Sequence, residues 1–104
     1  MLRSDVITLV REAAQAHGVY ERPYETEREV YVTVEGVGMT EMYTAMAQGF
    51  RPEVKFRLEI AEDYDREREV IWNGDRYIVI RTQLDRDAGD GITLVCQRGV
   101  QRDG

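Results

Sequence analysis

Hydrophobic and polar positions alternate most clearly in two stretches. Residues 29–35 put Val30, Val32 and Val34 on one side and Tyr31, Thr33 and Glu35 on the other; after Pro52, Val54, Phe56, Leu58 and Ile60 oppose Lys55, Arg57 and Glu59. A period of two is what a strand buried on one face requires. Two further apolar runs, Val70-Ile71-Trp72 and Tyr77 to Ile80, flank Asn73-Gly74. Asn and Gly tolerate the positive φ of a tight hairpin turn, so this pair predicts an antiparallel hairpin, with a three-residue loop if Asp75 joins the turn. A polar loop from Asp85 to Gly91 then leads to a last strand near Ile92 to Gln97, and residues 98–104 are expected to fray.

Between the first two strands the period changes. Thr40 suits a helix N-cap, Glu41 favours the positive end of the helix, and Met42 and Met46 stand four residues apart on one face. Gly49 supplies a left-handed C′ residue, Phe50 an apolar C″, and Pro52 stops the turn. The prediction is a short helix over residues 40–48, with Gly36, Gly38 and Gly49 as pivots. Nearer the start, Val6 to Val10 is mostly β-branched and favours a short strand. Ser4 as an N-cap and the helix formers from Arg11 to His17, ending at Gly18, support a competing helix, which the strand reading confines to the Ala-rich stretch. Residues 20–28 are charged, lack a period and contain Pro23, so they predict an exposed connector. Together these elements make a mainly antiparallel β domain with one short helix between strands.

Length and composition set the frame for function. A chain of 104 residues, 42% hydrophobic and 33% charged, forms one domain, residues 1–104, with a single core. Its net charge of −6 argues against general nucleic-acid binding, since neutralising phosphates needs a surplus of Lys and Arg. The run Val6 to Val10 is too short for a signal-peptide core and no stretch approaches a membrane span, so synthesis in the cytosol without a membrane partner is expected.

Candidate chemistry is sparse. Cys96 is the one cysteine and lies in an apolar run, where a thiol behaves as a small hydrophobe; His17 is the one histidine and lies far from it in sequence. Asp85, Asp87 and Asp90 have the look of a calcium loop, but Gly89 stands where a ligand belongs and Cys96 replaces the bidentate Glu. Asp63, Asp65, Glu67 and Glu69 are interleaved with Arg66 and Arg68, which points to a solvated connection rather than paired catalytic carboxylates. Gly36 and Gly38 lack the rest of a phosphate loop. The expectation is therefore no enzyme, no cofactor and no metal. Phe56, Trp72 and Tyr77 fall among apolar neighbours and are predicted core rather than a stacking platform for single-stranded nucleic acid. Met39, Met42 and Met46 have two readings: packing on the domain's own strands, or an adaptable face for another chain.

In order and spacing, several features resemble the small head-tail joining proteins of long-tailed bacteriophages and prophages, also called head-closure or stopper proteins. They are Asp5 to Leu9; Arg28 to Val32 leading to Thr40 to Ala45 and Gly49 to Pro52; then Asp63-Tyr64, Asn73-Gly74, Tyr77-Ile78, Arg81-Thr82 and Ile92 to Leu94. The resemblance implies a small antiparallel β-barrel made in the bacterial host cytoplasm and placed in the virion neck. There it would join a ring on the portal-adaptor complex, close the exit channel on packaged DNA and present a docking surface to tail proteins. A tail-completion protein of the same neck is the nearest alternative, and a small-barrel module for single-stranded nucleic acid the alternative of another class. On the neck reading, residues 36–53 are the working segment. Met39, Glu41, Met42, Tyr43 and Met46 are its partner or channel contacts, and Gly36, Gly38 and Gly49 its hinges.

Overall fold

A computed structural model describes residues 3–13, 24–85 and 90–99. Six strands, β1 (Arg3–Ala13), β2 (Tyr24–Glu35), β3 (Pro52–Leu58), β4 (Glu69–Trp72), β5 (Asp75–Asp85) and β6 (Gly91–Arg98), close into an antiparallel barrel in the order β1-β2-β3-β6-β5-β4. The nine-residue helix α1 (Met39–Ala47) joins β2 to β3. The fold is thus mainly β with one helix between strands, and the barrel implied by the family resemblance is present.

Alternating side chains fill the interior. Ile7, Leu9, Val32, Phe56, Leu58, Val70, Leu94 and Cys96 are buried together, and Val54, Phe56 and Leu58 of β3 face inward as their spacing predicts. Phe56 packs edge-on against Trp72 and Tyr77 at centroid distances of 5.3 and 6.2 Å, which puts this aromatic trio at the core rather than on a stacking surface. Trp72 keeps its indole N–H satisfied by donating to Asp5 Oδ2 at 2.9 Å. Burial pushes the Cys96 thiol from its ordinary 9.0 up to about 12, so it remains a neutral hydrophobe. Strand β6 pairs with both β3 and β5 and is the most completely buried. Its first residue must be glycine, because a Cβ on Gly91 would lie 2.9 Å from both the Leu58 carbonyl and the Arg57 guanidinium.

The hairpin at Asn73-Gly74 has a two-residue loop, with φ of 53° and 81° and Trp72 opposite Asp75, so Asp75 belongs to the strand. Four other expectations change. The first strand continues through Arg11 to Ala13 instead of giving way to helix, and residues 14–17 lie outside the described set. Tyr24 to Arg28 is strand rather than connector, because β2 pairs with β1 along all eleven register positions and cross-strand bonding outweighs local propensity. Ile60 is exposed, since β3 ends at Leu58 before the alternation does. Arg98 still pairs with Tyr77 and the Gly99 N–H bonds the Arg76 carbonyl at 2.9 Å, so fraying does not begin at 98.

Candidate functional site

Helix α1 starts one residue before the predicted N-cap. Gly38 caps it without a side-chain hydrogen bond, and the Thr44 hydroxyl donates back to the Thr40 carbonyl at 3.0 Å. Its end follows the sequence signal. Gly49 adopts φ 88°, the Phe50 N–H bonds the Ala45 carbonyl at 2.9 Å, and the Gly49 N–H bonds the Met46 carbonyl at 3.0 Å, the paired bonds of a Schellman motif. Of the three glycines expected to pivot, only Gly49 has a positive φ. A Cβ on Gly36 or Gly38 would meet open space.

The orientation of this helix sets it apart. Thr40, Glu41, Thr44, Ala45 and Gln48 line a groove of about 390 Å³ against Pro52, Ile80, Arg81 and Val95 of the barrel. At 100° per residue, Met39, Met42, Tyr43 and Met46 fall on the opposite side. Met39 is 73% exposed, Tyr43 64% and Met46 45%; Met42 is half-buried, and no residue of the helix is fully buried. Glu41, Met42 and Ala45 are the half-buried positions while Thr40, Thr44 and Gln48 are exposed, so the helix does not follow the usual arrangement of apolar face inward and polar face outward.

Salt bridges hold this orientation. Glu41 turns to the barrel, unlike the exposed Met39, Tyr43 and Met46 of the predicted contact set, and accepts from Lys55 of β3 at 3.1 Å and from Arg81 of β5 at 3.4 Å. Its side chain is 20% exposed, so the Lys55 pair is only partly screened. Glu41 was legible as a first-turn acid, but Lys55 and Arg81 carried no signal that they would meet it.

The other candidate groups disperse. Asp85 pairs with Arg57 at 2.7 Å and Asp87 lies outside the described residues. His17 also lies outside them. In the acidic stretch, Glu67 is buried at 4% exposure, where it accepts from Arg28 at 2.6 Å and from the Asp65 N–H at 2.7 Å. The Tyr64 hydroxyl donates to the Glu67 carbonyl at 2.7 Å. Burial raises the Tyr64 pKa, and hydrogen bonding to Glu67 raises that of Arg28. Both changes stabilise the forms already present at neutral pH, which fits a strap fixing residues 61–68 over the barrel and not a group poised for proton transfer. No group of three or more His, Cys, Asp or Glu side chains arranged to hold a metal occurs among the described residues. No described helix is long and apolar enough to cross a membrane. No protein-family model matches the chain, and no curated protein matches its sequence.

Proposed function

We propose that the chain is a structural protein of a bacteriophage neck. It assembles as a ring on the portal-adaptor complex, closes the DNA exit channel after packaging, and gives the tail its docking surface. The observation that supports this reading is the exposed apolar side of the helix: Met39, Tyr43 and Met46 are open to solvent beside the half-buried Met42, while Glu41 ties the helix to the barrel. Exposed Met and Tyr stabilise the isolated barrel little but suit a surface that repacks against a neighbouring subunit. The net charge of −6 fits the same role, because an acidic ring does not grip DNA passing through it.

Two measurements test the proposal. Alone at micromolar concentration the chain should sediment as a monomer or weak oligomer, since a small contact closes into a ring only when a template holds its neighbours. Deleting its gene from the genome that carries it should leave heads that fail to join tails and lose their DNA. The wild-type gene, but not the Met42→Gln/Met46→Gln gene, should restore tailed particles. Normal titres of tailed particles from the deletion would overturn the reading.

A further inference from the structure

Strand β2 is covered by β1 from Tyr24 to Val34, but β3 covers its other edge only opposite Thr33, Val34 and Glu35. After Leu58 the chain bends away from β2, and the Ala61 N–H bonds the Asp90 carbonyl at 2.6 Å, beside the start of β6. This departure leaves a groove of about 490 Å³ between Arg28–Thr33 and the group Arg57, Glu59, Ile60 and Asp63.

Hydrogen-bond parity shows which groups face the groove. The Val6 N–H donates to Asp5 Oδ1 at 2.8 Å and so is not directed at β2. Tyr31, opposite Val6, therefore sits in a non-hydrogen-bonded pair and turns its own N–H and C=O to the far edge. Through the period of two, Glu29 and Glu27 do the same, in line with Thr33 and Glu35, which face β3. Three alternate residues thus present main-chain donors and acceptors that no strand among the described residues takes up.

The chemistry of the groove selects its occupant. Both cations are neutralised internally, Arg28 by Glu67 and Arg57 by Asp85, whereas Glu29, Glu59 and Asp63 have no ion-pair partner among the described residues. The outward side chains of β2 here are Glu27, Glu29 and Tyr31, and the inward ones include Val30 and Val32. We propose that β2 accepts an added strand from a partner protein, an extended segment in which Lys or Arg alternates with apolar residues. Its main chain bonds residues 27, 29 and 31, its cations lie outward beside Glu27 and Glu29, and its apolar residues continue the inner face. A second copy of this chain fits poorly, because its β2 would bring further carboxylates into an already acidic groove.

The probe is a capped peptide of four Lys-Val repeats titrated into the isotope-labelled full chain. Amide shifts and slowed hydrogen exchange should centre on Glu27, Glu29 and Tyr31. A Glu-Val peptide, and a Lys-Val peptide N-methylated at alternate residues, should bind at least ten-fold more weakly. Glu29→Pro removes an N–H that the barrel does not use and should abolish binding while the remaining amide spectrum stays native. The exposed pair Glu29→Lys/Glu59→Lys tests charge without touching the main chain and should reverse the preference toward Glu-Val. Equal binding of the N-methylated peptide, shifts centred elsewhere, or undiminished binding to a folded Glu29→Pro chain would overturn the proposal. Concentration-dependent protection of the same amides without peptide would replace the partner strand by a second copy.

Discussion

Replacing Met42 and Met46 together by Gln separates a partner-facing helix from one that holds the barrel together. Met and Gln have nearly equal helix propensity, so the substitution leaves the helix intact and changes only what its outer face offers. Met46 is 45% exposed and no residue of α1 is buried, so each change should fall within about 0.5 kcal/mol of neutral. Unfolding 104 residues releases roughly 0.2 kcal/mol/K of entropy, so about 1 kcal/mol corresponds to about 5 °C in Tm. The double variant should therefore melt within about 5 °C of wild type. Core methionines would instead cost about 2–5 kcal/mol each, a combined loss on the order of 20 °C or more. Phe56→Ala calibrates that scale, since Phe56 is fully buried against Trp72 and Tyr77 and should cost about 3–5 kcal/mol. Thermal melts followed by circular dichroism, with calorimetry to verify two-state unfolding, give the answer. A drop of more than 10 °C in the double variant would show that the stripe supports the barrel, and the reasoning from exposure would fail.

Three other outcomes follow from single groups. Gly49→Ala should lower stability by about 1 kcal/mol through its positive φ alone, while Gly36→Ala and Gly38→Ala should be close to neutral in parallel melts. Cys96 should resist thiol reagents at pH 8 except through global unfolding; because its folded pKa lies above the unfolded one, its contribution to stability is full below pH 9 and is lost as pH rises from about 9 toward 12. Cys96→Ala should remove that slope from denaturation curves. For Asp5 the sign is opposite. Hydrogen bonds from Trp72 and the Val6 N–H, with Arg3 nearby, hold its pKa below the ordinary 3.8, so its contribution is present above that value and is lost as pH falls through the folded one. Trp72→Phe should shrink this acid-side dependence in melts taken between pH 2 and 5.

The parts of the fold legible in the sequence are those in which one residue type answers one local demand. Asn73-Gly74 takes two positive φ values, Gly49 closes the helix, and the valines of β2 and the alternating apolar residues of β3 each face one core. Tyr24 to Arg28 and Arg11 to Ala13 were not legible, because they are held by the pairing of β1 with β2 and the described side chains there are exposed, so no apolar period marks them. The buried Glu67 was hidden for a different reason. Its cation, Arg28, is 39 residues away in sequence, and a run of alternating Glu and Arg reads as solvent-facing. For the helix, spacing placed four apolar residues on one face but could not say which way the face turned. That depends on where Lys55 and Arg81 meet Glu41, a matter of barrel geometry rather than helix propensity.

The position of β6 has a consequence for how the chain is made. It is the most buried strand and the last of the six in chain order, yet it sits between β3 and β5 and supplies Ile92, Leu94 and Cys96 to the core. A ribosome adding about 5–20 residues per second therefore carries both neighbouring strands for some seconds with bare edges and an uncovered Phe56. Folding of this barrel must wait for nearly the whole described chain, so truncation before Gly91 should leave an aggregation-prone product instead of a smaller domain. The waiting edges carry Glu53, Lys55 and Arg57 on β3 and Arg76 and Arg81 on β5. Charges spaced through otherwise apolar strands keep such edges from pairing with the wrong chain. Side chains that later anchor the helix and bind across the finished barrel can thus first act as guards on the nascent one.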